Sequence, residues 1–161
     1  MKKKIVIFAT LSILGLFLVI YKFWILDFTR IIDNNIELAS KTKSYLYLSE
    51  VTPFEWDKAF FIEDPYIGGE ALDKIVGVKC NLKRTDTEAI RRIVFIKDKK
   101  FVYDYKYQWT DIIFSPLRIV VDKENCKFDI EKSNQLPNTL HLKLAQSKRF
   151  LIIKKGIRDL K

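Results

Sequence analysis

The chain has one histidine, His141, and two cysteines, Cys80 and Cys126. A single histidine excludes every metal site built on several imidazoles and leaves one candidate base for a Ser/His or Cys/His arrangement. His141 stands in the strand pattern Leu140-His141-Leu142-Lys143-Leu144, on its polar side, and reads as a solvent-facing strand histidine. The cysteines belong to no CxxC pair and no metal-spaced cluster. In an oxidising compartment they can form a disulfide. They can equally stay as two partly buried thiols, because spacing does not set the Cα approach a disulfide needs. Only 5 Gly and 4 Pro occur, which excludes long flexible linkers. The phosphate-binding P-loop, the dinucleotide-binding glycine pattern, the HExxH zinc motif, the nucleophile elbow and the EF-hand loop are all missing. Neither a metal nor a cofactor is expected, and no residue is assigned a catalytic role.

What is present begins with an apolar run. Three lysines, Lys2 to Lys4, precede a segment from Ile5 to Leu26 whose only polar interruptions before Tyr21 are Thr10 and Ser12. As a helix rising about 1.5 Å per residue it matches the thickness of the hydrocarbon core. Lys22 lies near its end, where its stem can snorkel, beside Tyr21, Phe23 and Trp24 as an interfacial aromatic belt. A cleaved signal peptide would need small residues soon after the apolar run, and Lys22-Phe23-Trp24 stands there instead. The expectation is an uncleaved, single-pass anchor over residues 1–26. The lysines that precede it place the N-terminus inside and the domain outside the bacterial cytoplasmic (inner) membrane. Formal net charge is +9. The first 26 residues hold four lysines and no acid, so +5 of that charge belongs to the rest, a mildly basic domain with no call for nucleic acid.

Beyond the anchor, residues 27–43 keep apolar positions at helical spacing through Phe28, Ile31, Ile32, Ile36 and Ala39. This predicts an amphipathic stalk, whose apolar stripe packs either on its own domain or on a partner. Residues 44–161, with the chain 48% hydrophobic and 14% aromatic, have ample material for one core. The alternation from Ser44 to Ser49 and the run Glu55–Glu63 read as strands. Asp64-Pro65-Tyr66 with Gly68-Gly69 reads as a turn, and Glu70–Val76 as one short helix with Gly77 at its C-cap. Three hairpins follow: Ile90–Ile96 with Lys100–Tyr107, Leu117–Val121 with Cys126–Ile130, and Thr139–Leu144 with Arg149–Lys154. The predicted fold class is α+β: an N-terminal transmembrane helix, then a small domain with a meandering antiparallel sheet and one short helix.

Paired carboxylates remain the one enzymatic route, with Glu55 and Asp57 on one strand face and Glu63-Asp64 beside the turn, although a solvated strand face is the commoner role. Lys148, Arg149, Lys154, Lys155, Arg158 and Lys161 make the C-terminus basic, suited to anionic headgroups, an acidic partner or a lysine-protected edge strand. Among the aromatics and their neighbours, Trp56, Asp57, Tyr66, Tyr103, Tyr105 and Trp109 are the candidate interaction residues, because Tyr and Trp are enriched at interfaces. Core packing and cross-strand pairing compete for the same side chains.

The stretch Pro53-Phe54-Glu55-Trp56-Asp57-Lys58, then Phe60-Phe61-Ile62, then Pro65-Tyr66, resembles a pattern in small uncharacterised bacterial envelope proteins that are membrane-anchored or secreted. Their Trp-Asp strand, Pro-Tyr turn, short helix and hairpin correspond to residues 53–107 here. The resemblance implies a compartment and an architecture and transfers no catalytic residue. The expected function is a membrane-tethered, non-enzymatic domain that binds another envelope protein, an immunity-type or inhibitor role being one version. Its rivals are a carboxylate-based envelope enzyme and a structural subunit of a membrane complex. The expected partners are the lipid bilayer, through residues 5–26, and a protein.

Overall fold

The computed structural model describes residues 28–132, 139–145 and 151–152. The apolar run, residues 5–26, and the basic residues from Lys148 to Lys161 lie outside the described residues. No helix among the described residues is long and apolar enough to cross a membrane.

Helix α1, Phe28–Thr42, turns Ile32, Ile36 and Ala39 inward at helical spacing, and all three are buried in the domain's own core. Strand β1, Tyr45–Tyr47, gives way at once to a one-turn helix α2, Leu48–Val51, so Leu48 and Ser49 leave the expected strand. Strand β2, Lys58–Ile62, is followed by α3, Gly69–Val76, which ends on Gly77 in the left-handed conformation, φ 78°, as its spacing predicts. Strands β3, Ile90–Lys97, and β4, Lys100–Gln108, form the expected hairpin. Its turn puts Asp98 and Lys99 at φ 49° and 57°, the twist that suits a two-residue hairpin. Then come β5, Ile112–Ser115; β6, Ile119–Asp122; β7, Lys127–Lys132; β8, Leu140–Leu144; and β9, Leu151–Ile152.

These strands form two sheets. One has the order β1-β7-β8-β5 and the other β4-β3-β2-β6-β9. The fold is α+β with mostly antiparallel pairing, and it departs from a single meander in two ways. Strands β5 and β8 pair in parallel, Ile112 opposite Leu140. The second and third expected hairpins do not exist: β6 pairs with β2 while β7 pairs with β1, and β8 pairs with β7 while β9 pairs with β6. A 3-10 turn, Lys123–Asn125, carries the chain from one sheet to the other. Local turn residues announce a reversal, but which sheet receives the next strand depends on the inter-sheet core.

The larger core lies between the sheets and under α1. Ala59, Phe61, Ile93, Phe95, Tyr105 and Val121 face it from the five-stranded sheet; Leu46, Phe114, Phe128 and Leu142 face it from the other. The opposite face of the five-stranded sheet has a second core. There Phe60, Ile62, Val94 and Ile96 pack beneath Leu72 and Val76 of α3 and beneath the irregular segment 78–89. Strand period explains the division, since Ala59 and Phe61 serve one core and Phe60 and Ile62 the other.

Candidate functional site

The six candidate residues divide into three kinds of place. Trp56 is 1% exposed and donates its indole N–H to Thr52 Oγ1 at 2.8 Å. Tyr105 is fully buried and donates its hydroxyl to Asp33 Oδ1 of α1 at 2.6 Å. Burial, reinforced by Asp33, raises the Tyr105 pKa well beyond the ordinary phenol. Tyr103 is half-buried, its hydroxyl 2.7 Å from Thr29 Oγ1 and its ring against Phe28 and Phe54 at 5.4 and 5.2 Å. These three side chains build the core and dock α1.

Asp57 sits at the β3–β4 turn. Its backbone N–H donates to Ile96 O, and its Oδ2 accepts the Asp98 N–H at 2.7 Å. The carboxylate holds a turn whose backbone is left-handed at two residues. The other carboxylates weighed for acid-base work are similarly occupied. Glu55 pairs with Lys123 at 2.6 Å, and that hydrogen bond and charge lower its pKa. Glu63 pairs with Arg118, and Asp64 Oδ1 accepts the Tyr66 N–H at 2.9 Å. Asp57 precedes β2 and Glu63 follows it, so the strand keeps the two groups apart by about 17–20 Å.

Tyr66 and Trp109 form the third group. They are 49% and 44% exposed, the two most exposed aromatic side chains among the described residues. Both stand where β2 and β4 end. The Trp109 backbone N–H donates to Ala89 O at 3.0 Å. The Tyr66 hydroxyl faces Glu88, which after partial desolvation is the next cause of its raised pKa. Pro65 O accepts both the N–H and the hydroxyl of Thr85, at 2.9 and 2.7 Å. Two separate loops are thus drawn to one stretch, residues 85–89.

A buried ion pair in the second core was not among the sequence candidates. Arg92 is 1% exposed; its Nη2 donates to Lys83 O at 2.9 Å, and its Nε lies 3.6 Å from Asp104 Oδ1, an ion-pair distance beyond hydrogen-bond reach. Arg92 Nε and Nη1 and Asp104 Oδ1 have no hydrogen-bond partner among the described residues. Burial raises the Asp104 pKa, against the opposing pull of Arg92 and Lys106. In the sequence Ile90-Arg91-Arg92-Ile93 neither arginine stands out as a candidate. The available signal was the strand period, which puts Arg92 on the face of Val94 and Ile96.

The cysteines are both free. Cys80 is buried in the second core, under α3, and Cys126 in the larger core between the sheets, so the two thiols do not pair. Burial, with Asp73 and Asp104 behind it, pushes the Cys80 pKa up to about 11. His141 points away from the inter-sheet core, opposite Glu131 and Ile113, but is half-buried, and its Nε2 is enclosed without a hydrogen-bond partner among the described residues. No group of three or more His, Cys, Asp and Glu suited to a metal occurs among the described residues. Comparison of the chain with protein-family models, with curated proteins and with solved structures found no match.

Proposed function

We propose that this chain is a membrane-tethered, non-enzymatic domain of the bacterial envelope that binds another protein through the end of the molecule carrying Tyr66 and Trp109. The supporting observation is the exposure of these two side chains on loops gathered around Glu88 and Ala89. Large, rigid aromatics of this kind dominate protein interfaces at low entropic cost. Their position suits a tethered domain. Helix α1 starts beside Tyr103 of β4, and the strand then runs five more residues to Gln108, about 16–17 Å. Trp109 follows, so the aromatic end is the one remote from the tether. The apolar run from Ile5 to Leu26 supplies the tether, and an immunity or inhibitor role is one form such a protein takes.

The test is crosslinking in intact membranes with the full chain, comparing the natural protein with a Tyr66→Ser, Trp109→Ser variant. Both side chains are about half-exposed, so the substitutions are expected to leave the fold intact, which thermal unfolding checks. One specific protein is expected to crosslink to the first and to be lost from the second. An identical crosslinked set for both would overturn the assignment of the surface.

A further inference from the structure

We infer that the turn between β3 and β4, with Lys97, Lys99 and Lys100, is a contact for anionic lipid headgroups at the base of the domain. This rests on the reading of residues 5–26 as an anchor. The apolar run ends at Leu26, and α1 begins at Phe28. Phe28 packs on Phe54 and Tyr103 at 5.3 and 5.4 Å. Thr29 meets the Tyr103 hydroxyl and Asp33 meets the Tyr105 hydroxyl, so α1 and β4 run in the same direction. Lys100 precedes Tyr103 by three residues, about 10 Å of strand. The turn therefore lies at the end of the sheet where α1 begins. A chain held in a membrane by the residues before Phe28 presents that end to the headgroups.

The charges at this end are unevenly committed. Lys99 and Lys100 are exposed, Lys97 is half-buried, and none of the three forms an ion pair among the described residues. The acids nearby are Glu55, Asp57, Asp98 and Asp122. Glu55 is taken by Lys123, Asp57 is turned onto the Asp98 amide, and Asp122 stands opposite Lys58 in the register of β6 and β2. Asp98 is the acid left within the turn. Lysine stems carry their ammonium groups farther out than the short aspartates, so the positive charge is outermost. Three ammoniums on flexible stems, with no buried donor converging on one point, suit a diffuse anionic surface rather than a phosphate pocket.

The full chain would be reconstituted in vesicles of phosphatidylcholine alone or with about 30% phosphatidylglycerol, a fraction that gives an appreciable negative surface potential. Flotation after a carbonate wash reports anchoring. Amine labelling, resolved residue by residue, then compares the turn lysines with Lys83 and Lys106 toward the other end of the sheet. Anionic lipid is expected to slow labelling of Lys97, Lys99 and Lys100 about three- to tenfold, with Lys83 and Lys106 unchanged and the protection lost at about 0.5 M salt. Protein that floats but shows equal labelling in both vesicles overturns the headgroup contact and leaves the anchor standing. Protein that does not float overturns the anchor and the contact together. Equal protection from inorganic phosphate added to phosphatidylcholine vesicles would make the turn a free-anion site and also overturn the inference.

Discussion

The five-stranded sheet is built differently on its two faces. On the inner face, Ala59, Phe61, Ile93, Phe95 and Tyr105 meet a second sheet and α1, and the polar atoms there are paired: Tyr105 with Asp33, Trp56 with Thr52. On the outer face, Phe60, Ile62, Val94 and Ile96 meet one eight-residue helix and the irregular segment 78–89. The same face buries Arg92 and Asp104, three of whose polar atoms lack hydrogen-bond partners among the described residues. One sheet thus has a conventional packed side and a side where an ion pair and a strap of chain share the covering. The strap sits close. A Cβ at Gly68 would come within 2.3 Å of the Arg84 nitrogen and 2.7 Å of the Lys83 carbonyl carbon, so backbone rests directly on backbone. The difference matters for the proposed surface, because the strap's far end, residues 85–89, holds both Tyr66 and Trp109.

The largest effects should come from the inner face. Trp56→Ala or Phe61→Ala removes a fully buried ring and is expected to cost about 3–5 kcal/mol in denaturant unfolding. On the outer face Arg92→Met leaves Asp104 with the exposed Lys106 as its remaining ion-pair partner, at a cost of about 3 kcal/mol. The double change Arg92→Met, Asp104→Leu should recover most of that loss, because an apolar pair of similar volume avoids both desolvation penalties. Failure to recover would mean that the pair contributes net stability, and the contrast between the faces would shrink.

Two glycines sharpen the contrast further. Gly68→Ala is expected to lose about 1–3 kcal/mol through the clash with the strap, although Gly68 has an extended backbone that any residue adopts. Gly77→Ala meets no atom within 4 Å and pays only for its left-handed φ of 78°, about 1 kcal/mol. Thermal unfolding of the two variants side by side separates close approach from backbone strain.

The smallest effect is a pH slope. Burial raises the Asp104 pKa above its ordinary value near 3.8. Between those two pKa values the folded state binds more proton than the unfolded state. For this group, stability is therefore greatest below its unfolded pKa and falls as pH rises through the folded one. Asp104→Asn should flatten that slope in denaturant midpoints taken from about pH 4 to about pH 8. An unchanged profile would assign the slope to other carboxylates.

Legibility in the sequence followed how local each signal was. The hairpin from Ile90 to Gln108 and the α3 helix with its Gly77 cap were readable, because turn residues, strand period and cap lie within a few positions of one another. The partners of β6, β7, β8 and β9 were not, since Asp122–Asn125 marks a reversal in either topology. Tyr105 shows the same limit among the candidate residues. Its residue type made it a candidate for an interface, but its role is set by Asp33, 72 residues away. Tyr66 and Trp109 are exposed because they fall at turns beyond strand ends. Arg92 was passed over because charge outweighs period in such a reading, and its compensating Asp104 lies on the next strand.

The two cysteines report on the two faces without any substitution, since Cys80 is buried in the outer core and Cys126 in the inner one. A thiol raised to about pKa 11 is inert while covered, so labelling of Cys80 registers opening of its cover. Thiol exchange on the full chain, followed across low denaturant concentrations, tests the central contrast most directly. The outer face should open on its own, with Cys80 labelled well before Cys126 and with a weak denaturant dependence, while Cys126 tracks global unfolding. Equal rates and equal denaturant slopes for both thiols would mean that the two faces unfold as one unit, and the contrast drawn here would be wrong.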